Sequence, residues 1–445
     1  MNPKSGYSGD LLLFASVAAL GGLLFGFDIA IITGAAPFIK EEFELGELKF
    51  GWTVSSLLWG CIIGAAVAGR ITDIFGRKKI LMVTALLFLL TSLSCGIAPG
   101  LNLLILSRII GGVAVGAASI LSPMYISEIS PVRIRGRLVS MYQLSIVIGI
   151  LLSYLINYLL HDSGDDIWRW MFLTGIIPSV AFFILLFLVP ETPRFLSKAG
   201  RKEDALKVLI RVEGSDKAAA ELARIEETLR EGGSGFREIL KPEFRKMVWV
   251  GLGLALFVQV SGINTIIDYA PIILRTAGLM IDAALFSTFI IGAVNFLFTL
   301  VSIWAIEKAG RRPLYIIGSA GMTLILLIIT IANITGNFTG LPALLLILLY
   351  IAFFASCIGP VFWTLVAEIY PNRVRGTAMT IPVFTQWIAN ALVVMFFPWM
   401  LANTGGAFTF GTLALMAFLM LIFTLYLVPE TKGKSLEDIE EGWKK

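Results

Sequence analysis

Residues 127–136 read SEISPVRIRG, and residues 367–376 read AEIYPNRVRG. Glu128, Ile129, Pro131, Arg133, Arg135 and Gly136 recur as Glu368, Ile369, Pro371, Arg373, Arg375 and Gly376, each 240 positions later (368 − 128 = 240). Val189-Pro-Glu-Thr192 recurs as Val428-Pro-Glu-Thr431, and Gly76-Arg77 recurs as Gly310-Arg311. The three pairs keep their order, so one half is built like the other. All sit at the edges of long apolar segments. A duplicated membrane chain with its binding site between the halves is the plan of a secondary transporter.

Composition supports a membrane chain. Of 445 residues, 57% are hydrophobic and 15% charged, against roughly 45–50% and 25% in soluble domains. About 20 apolar residues span a bilayer. Twelve runs meet that length, near 11–35, 52–72, 80–97, 103–126, 138–160, 170–190, 247–275, 283–306, 314–334, 341–367, 377–401 and 407–428. The expected fold is all-α, twelve spans in two pseudo-symmetric six-helix bundles. The bundles are expected at 1–190 and 247–445, the second ending in a short cytoplasmic tail. The polar segment 191–246 between them alternates apolar and charged residues at helical spacing, as in Ala205, Leu206, Leu209 and Ile210. It reads as a cytoplasmic linker of short amphipathic helices.

Lys and Arg cluster after every even-numbered span, as at Arg70, Arg77, Lys78 and Lys79 after the second. The turn holding His161, Asp162, Asp165 and Asp166 is acidic. This bias puts both termini in the cytoplasm of a cell membrane. The net charge of +4 follows the same bias and indicates no nucleic-acid partner. No cleavable signal pattern opens the chain. Cys61, Cys95 and Cys357 fall in apolar spans, so no disulfide framework is expected.

Three charges lie well inside the spans: Asp28, Arg108 and Asp268. Each costs about 2.5–3.5 kcal/mol or more at mid-bilayer. At 1.5 Å per residue, Asp28 lies about 10 Å and Arg108 about 8 Å below the outer face. They are in reach of each other. One reading is a permanent ion pair locking span 1 to span 4. The other is a protonation switch, in which Arg108 holds Asp28 ionised in one state and Asp28 takes a proton in the other. Asp268 has three open readings: a sugar contact, a basic partner, or a place facing an outer vestibule.

A sugar offers hydroxyls that donate and accept, and an apolar ring face. Amides match both hydrogen-bonding roles, and Trp adds a flat face with one donor. Gln143, Gln259, Asn264, Asn295, Trp363, Gln386, Trp387 and Asn390 are such groups within the spans. Lipid-facing amides are costly, so a shared inner cavity is the economical reading. Each alone reads equally well as an interhelical hydrogen bond worth about 0.6 kcal/mol. Phe25 places an aromatic edge three residues before Asp28.

These residues fall into a family's motifs. Asp73-Ile-Phe-Gly-Arg-Lys78, Arg108-Ile-Ile-Gly-Gly112, Pro190-Glu-Thr-Pro-Arg194 and Gln259-Val-Ser-Gly-Ile-Asn264 lead. Glu307-Lys-Ala-Gly-Arg-Arg312, Gly359-Pro-Val-Phe-Trp363 and Pro429-Glu-Thr-Lys-Gly433 complete the set. The chain resembles the sugar porter branch of the major facilitator superfamily, which holds bacterial xylose–proton symporters and mammalian facilitative glucose transporters. The resemblance implies the twelve-helix fold and alternating access. It matches Gln143, Gln259, Asn264, Asn295 and Trp363 to the family's sugar contacts, and Gln386-Trp387 to the xylose symporters' pair. It implies proton coupling, because symporters carry both Asp28 and Arg108 in these positions and uniporters lack the acid. Val258 stands where many relatives have a first Gln, and Asp268-Tyr269 where Tyr-Tyr is common.

Asp73, Arg77, Glu128, Arg135 and Glu191 sit at inner helix ends, with Glu307, Arg311, Glu368, Arg375 and Glu430 in the second half. They read either as positive-inside topology with helix capping or, as the resemblance implies, as a cytoplasmic gate of salt bridges. Exposed pairs are worth about 0–1 kcal/mol each, which suits a gate that breaks every cycle. The expected function is a proton-coupled monosaccharide symporter, with hexose or pentose open. Its partners are a small sugar, a proton and the lipid bilayer, and the carrier is expected to be monomeric. A uniporter or a sugar sensor on the same fold are the alternatives. No metal cluster, phosphate loop or nucleophile–base pair stands out, so neither enzyme nor cofactor is expected.

Overall fold

The computed structural model describes residues 9–131, 134–162, 164, 166–231, 239, 241–371, 374 and 378–432. Every regular element among them is helical. Eleven helical stretches are long and apolar enough to cross a membrane. The last, Thr380–Leu427, has 48 residues. At 1.5 Å per residue it would be over twice the roughly 30 Å of a hydrocarbon core. Gly405 breaks it with φ 78 and ψ 166. Spans 11 and 12 lie on either side of that glycine, and the twelve spans of the sequence are present.

Spans 1–5 are Gly9–Glu42, Glu47–Phe75, Arg77–Gly96, Leu101–Ile129 and Arg135–Leu160. Span 6 is Ile167–Leu173 with Ile176–Leu185. Span 7 comes in three pieces: Arg245–Val260, Ile263–Asp268 and Ala270–Thr276. Spans 8 and 9 are Ile281–Ala309 and Arg311–Ile334. Span 10 is Gly340–Cys357, then Gly359–Glu368. The linker end of a span is the end near residues 191–246 by chain alternation, and the far end is the other.

The interruptions of spans 7 and 10 have local causes. Gly262 takes a left-handed conformation, φ 89 and ψ 16, that only glycine adopts without strain. Pro271 and Pro360 each open the next helical piece, where no amide hydrogen is needed. Broken helices at membrane depth free backbone groups, which must then find partners inside the protein. Tyr350 donates to the Ser261 carbonyl at 3.0 Å and so caps the first break of span 7.

The linker forms Pro193–Lys198, Lys202–Glu213 and Ser215–Glu231. In the second, Ala205, Val208, Leu209 and Val212 are buried, one stripe at i, i+3, i+4 and i+7. Ile210, expected on that face, is 43% exposed. Its position, one residue past Leu209, turns it about 100° off the stripe.

The chain packs as two compact units. One comprises Met1–Ile29, Gly60–Ile150 and Phe172–Gly233; the other comprises Ala30–Trp59, Leu151–Met171 and Ser234–Lys445. Residues 30–59 and 151–171 therefore belong to the second unit with the C-terminal spans. In the first unit, spans 2 and 4 cross on glycines. A Cβ on Gly60 would strike the Ile109 carbonyl, and one on Gly116 the Cys61 carbonyl. Gly60 with Gly64, and Gly112 with Gly116, present small residues four apart on both helices, the spacing that lets membrane helices touch backbone to backbone.

Candidate functional site: two matched charge clusters, a buried acid and a polar stripe

The repeated residues build the same cluster twice. In the first unit, the Arg77 guanidinium donates to Glu128 at 3.0 Å and to the Thr72 carbonyl at 3.4 Å. The other Glu128 oxygen accepts from the Thr192 hydroxyl at 2.6 Å. Glu191 sits on the N-terminus of span 3, accepting from the backbone N–H of Arg77 at 3.0 Å and of Lys78 at 3.0 Å. A carboxylate there satisfies orphan donors and meets the positive end of the helix dipole. Burial pushes the Glu191 carboxyl above its ordinary range, against the pull of three backbone N–H groups and the Arg77 charge.

The second unit repeats this bond for bond. Arg311 donates to Glu368 at 2.9 Å and to the Ile306 carbonyl at 3.4 Å. Thr431 donates to Glu368 at 2.5 Å. Glu430 accepts from the N–H of Arg311 and of Arg312, each at 3.2 Å. The glycine before each arginine explains the pairing in Gly76-Arg77 and Gly310-Arg311. Both have positive φ, 94 and 91. A Cβ would strike Glu191 at Gly76 and lie 2.8 Å from Glu430 at Gly310.

Of the other expected members of the gate, Asp73 joins the first cluster, pairing with Arg77 at 3.2 Å, and also pairs with Lys198 of the linker at 3.4 Å. Its counterpart Glu307 is exposed and forms no ion pair among the described residues. Arg135 donates to the Ser130 carbonyl at 3.4 Å and lies in the field of Glu213 on the linker. Arg375, like Arg133 and Arg373, lies outside the described residues. Thr192 and Thr431 were not singled out from sequence. Their signal was present, since both end the repeated Val-Pro-Glu-Thr.

Asp28 and Arg108 are 9% and 2% exposed. Arg108 donates to the backbone carbonyl of Asp28 at 2.8 Å and lies over the Phe172 ring at 5.6 Å. No carboxylate–guanidinium ion pair joins the two in this structure. The Asp28 carboxylate instead lies against Gly111, where an added Cβ would be 3.3 Å from it. Thr91 is equally close to that position.

In the second unit, Asn264 donates to the Gln259 side chain at 2.6 Å across the Gly262 break. Gln259, Asn295 and Asn390 are 4%, 7% and 5% exposed. Trp387 is buried as well, and Trp363 packs edge-on to Phe362 at 5.1 Å. The Gln386 carbonyl oxygen is buried with no hydrogen-bond partner among the described residues. Gln143 and Phe25 are half-buried in the first unit. Asp268 is 4% exposed, so here it does not face open water.

Sequence reading also missed an aromatic column in the second unit. Tyr269 stacks on Phe397 at 5.4 Å and lies 5.7 Å from Phe50. Its hydroxyl donates to the Val394 carbonyl at 2.9 Å. Nearer the far end, Tyr158 packs on Phe286 at 5.2 Å, and His161 reaches Asp282 at 3.2 Å. Spans 2 and 5 are thus packed against spans 7, 8 and 11 at the far end. No local pattern announces contacts between residues over a hundred positions apart.

Known proteins resemble this chain in sequence and in fold. The sequence pattern of the family described as "Sugar (and other) transporter" matches residues 14–443. The arabinose–proton symporter of Bacillus subtilis is 39% identical, over 99% of this chain and 96% of its own length. The major myo-inositol transporter of the same organism is 37% identical, over 100% and 96%. A structure of the xylose transporter XylE from E. coli, in a partially occluded inward-open conformation, superposes with a TM-score of 0.86 at 37% identity. That match covers 96% of this chain and 100% of the other. The twelve spans, the doubled clusters and these likenesses agree: this multi-pass membrane protein belongs to the sugar transporter family, on the major facilitator fold.

Proposed function

We propose that the protein is a proton-coupled monosaccharide symporter working by alternating access, with both termini in the cytoplasm. The observation that carries this reading is Asp28. It is a buried acid in span 1, with Arg108 held at its own backbone carbonyl, 2.8 Å away. In the ion-paired state Arg108 exchanges that carbonyl for the Asp28 carboxylate. Asp28 then alternates between a bound proton and the Arg108 charge, and the exchange ties proton movement to the state of the carrier. The names of the relatives, an arabinose–proton symporter among them, support the same reading.

The sugar is bound by the amides and indoles of spans 7, 8, 10 and 11 in the second unit, with Gln259 and Asn264 at its centre. Their mutual hydrogen bond holds both amides in place before the sugar arrives. Pentoses, hexoses and cyclic polyols differ by one or two hydroxyls, and the relatives' names already spread over arabinose, xylose and inositol. The clusters around Arg77 and Arg311 form the cytoplasmic latch. The basic residues gathered at the linker ends support the cytoplasmic placement.

Uptake into proteoliposomes tests the coupling. A charge moving through 100 mV supplies about 2.3 kcal/mol, or roughly fifty-fold accumulation at 1.4 kcal/mol per tenfold. Asp28→Asn loses that accumulation and keeps sugar counterflow. Undiminished uphill uptake by the variant excludes the coupling role and leaves a uniporter.

A further inference from the structure

The chain has one histidine, His161, and it stands just past the end of span 5. Both of its ring nitrogens are engaged. Nδ1 meets the backbone carbonyl of Tyr158, one turn back. Nε2 lies 3.2 Å from the Asp282 carboxylate, in the first turn of span 8. A carbonyl and a carboxylate only accept hydrogen bonds, and a neutral imidazole has a single N–H to give. The ring donates to both oxygens only as imidazolium, with both nitrogens protonated. The contact seen is that of the charged form.

His161 also sits where two spans meet. Its ring stacks on Tyr158 at 5.4 Å, and the Tyr158 ring packs in turn on Phe286 of span 8 at 5.2 Å. One helical turn deeper, Tyr154 of span 5 lies so close to Gly292 of span 8 that a Cβ there would be 2.7 Å from its ring. The histidine closes a seam whose deeper contacts are aromatic. From span 8 the charged group facing the ring is Asp282, and on its own span the titratable neighbour is Tyr158. Span 1 meets this end of span 5 through the Ile31 carbonyl, which accepts from Asn157 at 3.3 Å and brings no charge. Other far-end charges pair with one another: Arg169 with Glu42 at 3.0 Å and with Asp166 at 2.7 Å, and Lys40 with Glu47 at 2.7 Å. The His161 and Asp282 side chains are 18% and 63% exposed, so water reaches the pair. Histidine is the side-chain type that changes charge between about pH 5 and 8. The seam therefore has one contact that acidity can make or break.

We propose that His161 is a proton-binding site of the far end, and that its bound proton clasps span 5 to span 8. Acid on that side then favours the state closed there, and alkali favours its opening. The clasp presupposes alternating access and does not depend on proton coupling at Asp28. The proton comes as hydronium from far-side water, forms the second ring N–H, and returns to that water on release. Clasped, the imidazolium has a carboxylate beside it; parted, it has water, so the clasped state holds the proton more tightly. The contribution of the clasp is complete in acid and is lost as the pH rises through the range in which the clasped ring gives up its proton.

The test is the distance between spin labels on the full chain in lipid nanodiscs, attached at Leu159→Cys and Met280→Cys. These positions flank the clasp on spans 5 and 8 and are 64% and 77% exposed, whereas the native Cys61, Cys95 and Cys357 are buried. From about pH 8 to about pH 5, the labelled but otherwise native chain is expected to raise its ratio of short to long distances about threefold, as suits one exposed pair. His161→Gln is expected to lose that response, and Asp282→Asn to lose most of it; the second serves where the first fails to fold. Two distances whose ratio ignores pH in the native chain, or the full response in either variant, overturn the clasp alone. One unchanging distance at every pH, with D-xylose and without, overturns alternating access and the clasp with it.

Discussion

The cluster around Arg77 and the cluster around Arg311 are built from five matched residues in the same bonds, yet they are not equally buried. The Arg77 and Glu128 side chains are 6% and 10% exposed; Arg311 and Glu368 are 18% and 27% exposed. The first cluster also has more neighbours. Asp73 adds a second carboxylate, and the Phe195 ring lies 5.7 Å from the guanidinium. Phe195 belongs to the linker helix Pro193–Lys198, which comes after span 6 and covers the first cluster. Duplication set the bonds, and the linker helix that carries Phe195 gives the first cluster its deeper burial. A buried ion pair is costly to break and a half-exposed one is not. On the proposed reading of the two clusters as a cytoplasmic latch, the first is the fixed tie and the second the part that yields.

The largest expected difference is in the arginines. Arg77→Gln strands Glu128 in a buried site and is expected to cost about 3–5 kcal/mol, the range for breaking a buried pair. Arg311→Gln leaves a carboxylate that water can reach, and about 1–2 kcal/mol is expected. Thermal inactivation of the detergent-solubilised protein measures both. Equal shifts in the two variants would erase the distinction between tie and latch.

The threonines sharpen it at smaller scale. Thr192→Val and Thr431→Val each remove one hydroxyl donor from a glutamate and should cost about 1–2 kcal/mol, with the larger loss at Thr192. A larger loss at Thr431 would mean that burial is not what separates the clusters. The acids in front of the arginines should matter least. Asp73→Asn is expected to cost at most about 1 kcal/mol, because its partner pairs are solvent-exposed on one side. Glu307→Gln is expected to change nothing measurable, and a loss comparable to that of Asp73→Asn would show that Glu307 has taken up a tie absent here.

Much of this was legible in the sequence, for definite reasons. Spans are legible because about twenty apolar residues in a row have no other stable home. Even the fused pair 380–427 separates at Gly405, where the apolar run ends in Asn403-Thr-Gly-Gly406. The cluster residues are legible because each is repeated. Their hydrogen-bonding roles are not, which is why Thr192 and Thr431 were passed over. Nor is burial, which depends on Phe195 and the linker helix folding over one copy. The polar stripe of span 7 is half legible. Gln259 and Asn264 announce an amide pair, but the bond between them depends on Gly262 turning left-handed. Arg108 is placed beside Asp28 by span depth alone, whereas its choice of the backbone carbonyl over the carboxylate is a matter of side-chain angles. The Tyr269 column joins spans 2, 7 and 11 and leaves no periodic trace. Ile210 shows the converse, an apolar residue in the right neighbourhood that sits on the wrong side of its helix.

The most direct test of the carrier reading needs no imposed gradient. Proteoliposomes holding the protein and an internal pH dye are given D-xylose, then L-arabinose, at equal pH inside and out. Proton symport predicts that sugar entry acidifies the interior, and that Asp28→Asn, in vesicles preloaded with sugar, exchanges labelled sugar without any pH change. Sugar equilibrating at the normal rate in the wild type with no movement of the dye would contradict it.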